Sequence, residues 1–214
     1  MQGLMMDMPL QISALIRHAE RWHGDTEIVS RLVEGGIHRY TYAQAHGRIR
    51  QLANALRALG VKMHDRVGTL AWNGFRHFET YYAAAGSGAV SHTINPRLFP
   101  EQIIYIINHA DDRYVFVDLT FVPLVEKIAA QCPNVQGWVI LTDRAHMPKT
   151  GLDKAMCYEE LLAAHSDAFQ CRCSTSTPPL RFATPRARPA IPKVCCTVIV
   201  RRCCIPTPHV CPTH

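Results

Sequence analysis

The sequence predicts an α/β fold, a mostly parallel sheet with flanking helices, followed by a disordered tail. Three observations predict it. Short apolar runs that read as buried strands alternate with helix-period segments from Arg66 to Leu141. The intervening helices have the length that a crossover between parallel strands requires, roughly 10–15 residues. The composition then breaks sharply near residue 170, which divides the chain into a folded body, 1–170, and an unstructured Pro/Cys/Arg-rich tail, 171–214.

The elements follow in order. Leu10, Ala14, Leu15, Ala19 and Trp22 fall at helical spacing, and Gly24 stops that segment. Glu27 to Val33 and Ile37 to Tyr42 flank Glu34-Gly35-Gly36, a hairpin signal. Thr41 is placed to cap a long helix with Ile49, Leu52, Ala53, Leu56 and Leu59 on one face and Gly60 at its end. Arg66 to Ala71 reads as a buried strand, Phe75 to Ala85 as a helix and Ala89 to Ile94 as a second strand. Pro100 opens a helix carrying Ile103, Ile104, Ile106 and Ile107. Tyr114 to Asp118 is a strand, Val122 to Ala130 a helix and Trp138 to Leu141 a strand. No internal repeat is present.

The tail is a different polymer. Residues 171–214 contain no Asp, Glu or Gly, but 7 basic residues, 8 of the 14 prolines and 7 of the 9 cysteines. The body holds all 17 acidic and 16 basic residues, a net −1, so the formal +6 belongs to the tail. That argues against a nucleic-acid surface, which needs a basic stripe on a folded face. Met1 to Ile16 lacks a basic leading region and contains Asp7, unlike a signal peptide. The longest uncharged stretch, Tyr81 to Pro96, falls short of the roughly 20 apolar residues of a membrane helix. Two body cysteines, Cys132 and Cys157, are too few for a disulfide framework and suit a reducing, cytoplasmic setting.

Several stretches carry a family resemblance: Tyr40-Thr41-Tyr42-Ala43, Leu56-Arg57-Ala58-Leu59-Gly60-Val61, Asp65-Arg66-Val67, Asn73-Gly74-Phe75-Arg76-His77-Phe78-Glu79 and Gly88-Ala89-Val90. His92-Thr93-Ile94-Asn95-Pro96-Arg97-Leu98 and Tyr105-Ile106-Ile107-Asn108-His109-Ala110-Asp111-Asp112 complete the series. In this order the body resembles the N-terminal region of AMP-forming acyl-CoA synthetases, the medium- and long-chain fatty-acyl-CoA ligases. The resemblance implies the N-terminal part of the adenylate-forming fold, with ATP, Mg2+ and CoA serving the intact enzyme and a fatty acid and CoA as its substrates. In that family the N-terminal region is scaffold. The chemistry depends on later motifs: a Ser/Thr/Gly-rich phosphate loop ending in Pro-Lys-Gly, an aromatic-Thr-Glu segment, a ribose-binding Asp and a lysine of a mobile domain. None of them is readable in this frame.

The chain departs from the family after Ala168-Phe169-Gln170. If the codons of Thr184 to Val194 are read from the last base of each preceding codon, suitable synonymous choices give Y-T-S-G-T-T-G-N-P-K-G, the family's phosphate loop. The same shift turns Val194 to Ile205 into G-V-L-Y-S-H-R-S-T-V-L-H, and Cys171 to Thr177 into a proline followed by an acidic stretch. Loss of one base in a Trp codon just after Gln170 accounts for all of it. The tail's prolines, arginines and cysteines are then products of the frame.

Other constellations read as structure. Cys171-x-Cys173, Cys195-Cys196, Cys203-Cys204, His209, Cys211 and His214 do not match the paired Cys-x2-4-Cys spacing of structural zinc. Gly86-Ser87-Gly88 follows a helix and leads into a strand, whereas a dinucleotide fingerprint sits between strand and helix, so it reads as a helix end. Asp111-Asp112 reads as a solvated loop, and neither it nor Asp7 forms an acid/base dyad. His38, His77, His92 and His109 have no carboxylate or thiol at ligand spacing, and for His92 structural hydrogen bonding is the better reading. No residue is nominated as catalytic, cofactor-binding or metal-binding.

The first functional reading is therefore part of a fatty-acid–CoA ligase, truncated before its phosphate loop, inactive alone and binding no cofactor itself. The alternative is a non-catalytic interaction module made from the same body, as a homodimer or paired with an intact paralogue. Solubility and cooperative unfolding separate the two.

Overall fold

The computed structural model describes residues 11–169. The tail and its shifted reading, the cysteine pairs, Asp7 and Leu10 lie outside the described residues.

Helix α1, Ile12–His23, opens the body. It turns toward the core on Ser13 and Ile16, while Leu15 and Trp22 are 61% and 65% exposed. The face expected from Leu15 and Trp22 is thus the wrong one. Packing α1 against the next helix buries the stripe nearest Ile49 and Ala53, and Ile16 supplies that stripe alone. Gly24 does follow α1, but its φ of −54° is right-handed. What it provides is room, since a Cβ there would meet the Glu20 carbonyl at 2.6 Å.

Strands β1, Glu27–Arg31, and β2, Ile37–Thr41, pair antiparallel as a separate two-stranded sheet, with Val29 opposite Arg39. Gly35 and Gly36, at φ 107° and 84°, make the tight turn. Helix α2, Tyr42–Ala58, starts at Thr41 with a reciprocal cap: Thr41 Oγ1 accepts from the Gln44 amide, and Gln44 Oε1 accepts from the Thr41 amide. Gly60, at φ 81°, closes its end.

Five parallel strands follow: β3, Arg66–Leu70; β4, Val90–Thr93; β5, Asp112–Val117; β6, Gly137–Ile140; and β7, Ala155–Cys157. Their order across the sheet is β4-β3-β5-β6-β7. The crossovers run through α3, Phe75–Ser87, α4, Pro100–Ala110, and α5, Val122–Ile128, and α6, Tyr158–Ala163, comes after β7. Gly88, at φ 85°, ends α3, in agreement with the helix-end reading of Gly86-Ser87-Gly88.

Alternation along the strands divides the core between the two faces. Val67, Phe116 and Val139 pack under α1, α2, α3 and α6 with Leu52, Leu56 and Ala83. Leu70, Val115, Val117 and Ile140 pack against α4 and α5 with Ile103, Ile107 and Val125. Helices on both faces are what a parallel sheet requires to bury its apolar strands. Among the described residues no helix is long and apolar enough to cross a membrane.

A second expectation is corrected. Asp112 is not in a solvated loop: it begins β5 and is fully buried. Only Asp111 turns, at φ 54°, with its carboxylate 2.6 Å from Arg66. Beyond Leu141 the fold adds β7 and α6, which have no counterpart in the sequence reading.

Candidate functional site

Strand order singles out one place in the sheet. From β3 the chain crosses by α3 to β4 on one side, and from β5 it crosses by α5 to β6 on the other. The connections leave adjacent strands for opposite faces, which opens a crevice beyond their carboxyl ends, where open α/β sheets hold ligands.

Trp72 and Asp118 form its walls. Asp118 follows β5, with its amide bonded to the Leu70 carbonyl, and its Oδ2 accepts from the Trp72 amide at 2.5 Å. The Trp72 ring sits 5.1 Å from that of Phe121. Burial pushes the Asp118 carboxyl up to about 6, against the pull of the Trp72 amide and the Arg76 charge. The crevice, lined by Leu32, Trp72, Gly74, His77 and Asp118 among others, holds about 60 Å³. A few water molecules fit there; ligand pockets run to roughly 300–1,000 Å³.

Behind the crevice lies a buried ion network. The guanidinium of Arg48 on α2 clamps Glu79 of α3 at 2.7 and 3.1 Å and Glu159 of α6 at 3.0 and 3.1 Å. Arg76 of α3 reaches Glu159 at 2.9 Å, Glu34 of the hairpin turn at 2.7 Å and the Leu141 carbonyl at 3.0 Å. Tyr158 donates to Glu79 at 2.7 Å, and Thr142 donates to Glu34 at 3.0 Å. Two arginines thus face three carboxylates. Burial raises the Glu79 carboxyl despite Arg48, and it raises the Tyr158 phenol, which is fully buried. Glu159 is partly buried, yet its hydrogen bonds and charge contacts with Arg48 and Arg76 hold it below the usual range. The network fastens the hairpin to the end of the sheet and leaves its members' charges committed to one another.

His38 is stacked on Phe75 with ring centroids 3.9 Å apart, and burial, then Arg48 and Arg76, lowers its basicity. His77 lines the crevice and is lowered by burial. His109 is exposed and stacks on Tyr105 at 5.4 Å. His92 does have a carboxylate partner: its Nδ1 lies 2.8 Å from Asp112 Oδ2 in a fully buried pair. This is structural hydrogen bonding, as expected of His92, but its partner sits twenty residues on, where spacing rules do not look. The ion network escaped sequence reasoning for the same reason, since Arg48 and Glu159 are 111 residues apart. The one local signal was the run Arg76-His77-Phe78-Glu79, which puts an arginine and a glutamate inside an otherwise apolar helix.

Among the described residues no group of three His, Cys, Asp or Glu side chains is placed to hold a metal ion. The Mg2+ and triphosphate that the family resemblance implies belong to the intact enzyme, and no step is routed through them.

The comparisons with known proteins agree with the geometry. A family model described as AMP-binding enzyme matches residues 15–187. The chain is 47% identical over 170 residues to a 3-methylmercaptopropionyl-CoA ligase of Ruegeria lacuscaerulensis, covering 79% of this chain and 32% of that protein. It is 44% identical over 163 residues to a long-chain-fatty-acid–CoA ligase of Thermus thermophilus, covering 76% and 29%. The crystal structure of the anthranilate CoA ligase AuaEII superposes with a TM-score of 0.67 at 19% identity, over 80% of this chain and 31% of that one, a likeness of fold. The chain therefore spans about a third of the length of the relatives it matches. On the family match and these identities, the chain belongs to the AMP-binding enzymes, as a member of the AMP-forming acyl-CoA synthetases.

Proposed function

We propose that the described body is the N-terminal scaffold of a fatty-acid–CoA ligase domain, and that a polypeptide limited to these 214 residues turns nothing over. The parent reaction joins a carboxylate to the α-phosphorus of ATP with loss of pyrophosphate. The CoA thiol then takes the acyl group from the adenylate and AMP departs. The first step needs donors and Mg2+ preorganised around the phosphates.

One observation carries the reading. The crevice at the carboxyl ends of β3 and β5 is the expected ligand position of such a sheet, yet it holds only about 60 Å³. Of the charged side chains that line it, Arg76 is spent on Glu34 and Glu159 and Asp118 on the Trp72 amide, while Arg48 behind it is spent on Glu79 and Glu159. Such a body positions later loops and does not itself grip a nucleotide. The same reading places the chain in the cytosol, where the thiols of Cys132 and Cys157 stay reduced.

Two measurements test it. Pyrophosphate exchange into ATP with a fatty acid present is expected to be at background for the 214-residue chain, and exchange above background refutes the inactivity. A chimera in which residues 1–169 replace the matched region of the Ruegeria lacuscaerulensis ligase is expected to exchange pyrophosphate. A folded but silent chimera counts against the scaffold role.

A further inference from the structure

The hairpin of β1 and β2 is fastened to the body through its inward face. Ile28, Leu32 and Tyr40 pack in one cluster with Phe75, the first residue of α3. Ser30 Oγ accepts from the Phe75 amide at 3.1 Å. An amide in the first turn of a helix has no partner within that helix, so this one is covered only while the hairpin is seated. At the turn, Glu34 holds Arg76 at 2.7 Å and the Thr142 hydroxyl at 3.0 Å. The seated hairpin also closes the crevice, which Arg31, Leu32 and Val33 line together with Trp72 and Asp118.

The Phe75 ring is shared by three nitrogen-bearing side chains. His38 of β2 stacks on it with centroids 3.9 Å apart and planes 22° from parallel. The guanidinium carbons of Arg76 and Arg48 lie 4.7 and 5.5 Å from its centroid. An aromatic face attracts a cation, but this ring already serves two, and a third would be repelled by both. The nearby carboxylates are committed: Glu79 to Arg48, Glu34 to Arg76 and Glu159 to both. Glu159 favours a charged His38, but less than either arginine opposes it. On the outer side, Arg39 pairs with Glu27, and Asp167 pairs with Arg50. In an imidazolium both ring nitrogens carry a proton. The Nε2 of His38 is shielded and meets no hydrogen-bond partner among the described residues, so a proton there finds no acceptor.

We propose that His38 is a proton-operated latch of the hairpin. As a neutral ring it stacks on Phe75 and seats the hairpin over the crevice. Protonated, it becomes the third cation at that ring, and the hairpin lifts. The sign follows from the seated environment: burial, then Arg48 and Arg76, hold the imidazole below its ordinary 6.5. The lifted hairpin therefore binds the proton more tightly than the seated one. Seating is full above pH 6.5 and weakens as the pH falls below it. The latch does not depend on the ligase reading, since all its parts lie in the described body.

The test is amide hydrogen exchange in the full 214-residue chain, with protection taken against the intrinsic rate at each pH. Between about pH 7.5 and about pH 5, protection of the Phe75 amide is expected to fall about threefold or more. The amide of Phe116, at the buried centre of β5, is expected to keep its protection. His38→Phe preserves a ring for the stack and takes no proton, so its Phe75 protection is expected to be equal at both pH values. Asp118, His77 and the carboxylates titrate alike in both proteins. A wild-type Phe75 amide indifferent to pH overturns the latch. A fall that persists in His38→Phe overturns it too, moving the effect to His77 or a carboxylate. Loss at Phe116 in step with Phe75 does the same, as unfolding of the whole body. Should His38→Phe not fold, the ring-proton shift of His38 in the wild-type chain decides. Its midpoint is expected below 6.5 and in step with the Phe75 amide, and a midpoint at or above 6.5 ends the proposal.

Discussion

His92 and Asp112 meet across strand β3, Nδ1 to Oδ2 at 2.8 Å, over a residue that has no side chain. His92 lies on β4 opposite Gly68 of β3, and Asp112 begins β5 on the other flank. A Cβ on Gly68 would lie 3.0 Å from Asp112 Oδ2 and 3.2 Å from Val115 Cγ2. The glycine is the space through which the two strands exchange a hydrogen bond.

Gly68→Ala is therefore expected to destabilise the body by about 1–3 kcal/mol, the usual cost of forcing atoms into a packed core. The φ of Gly68 is not of the left-handed kind, so crowding is the cause. Asp112→Ala, which strips a buried histidine of its carboxylate, is expected to cost about 3–5 kcal/mol. Urea unfolding of the 214-residue chain reads both, and a Gly68→Ala midpoint equal to wild type would show that the pair does not need the gap.

The clamp of Arg48 on Glu79 gives a second prediction. Glu79→Ala leaves the Tyr158 hydroxyl and part of the Arg48 guanidinium without their acceptor, at a cost of about 3 kcal/mol. A cycle with Arg48→Ala is expected to show coupling of at least about 1 kcal/mol. Additive single effects would mean that the ion pair contributes nothing specific.

Asp118 predicts a pH dependence. Its carboxyl is raised by burial from 3.8 to about 6, so the fold favours its protonated form. Stability from this group is full below pH 3.8 and falls as the pH rises from there to about 6, above which the cost of holding it ionised is constant. The shift corresponds to roughly 3 kcal/mol. Asn at this position keeps an oxygen for the Trp72 amide and does not ionise. Asp118→Asn is thus expected to be the more stable protein at pH 7, and its advantage to shrink toward pH 4. An advantage independent of pH across that window would remove Asp118 as its source.

The open hairpin predicts association. Val29→Lys with Ile37→Lys places two charges on its exposed face, as natural edge strands do. Light scattering of the double variant of the full chain is expected to show less self-association than wild type at equal concentration. Unchanged scattering would move the sticky surface elsewhere, with the exposed Phe99 and Tyr105 next in line.

The legible parts of this fold are those whose signal is local. The Thr41 cap, the Gly60 and Gly88 helix ends, the glycine turn of the hairpin and Pro100 at the start of α4 are all short-range chemistry, and each stands where the sequence puts it. The run Ala155–Cys157 is too short to show an alternation, and Tyr158–Ala163 is less than two helical turns, so neither carried a periodic signal. For α1 the period was right and the face wrong, because Leu15 and Trp22 point to solvent and Ile16 is the one turned toward α2.

By itself, the sequence determined the class of fold, the order of its elements through β6 and the family, since apolar period and motif order are properties of the chain. Tertiary structure alone decided which buried charges meet. Glu34, Arg48, Glu79, Arg76 and Glu159 come from the hairpin turn and three helices, and His92 and Asp112 from strands on either side of β3. A pair across a sheet depends on strand order and register, which arise when distant segments share one apolar core. The His92–Asp112 contact exists because β4 and β5 both chose β3 as their neighbour and Gly68 left them room.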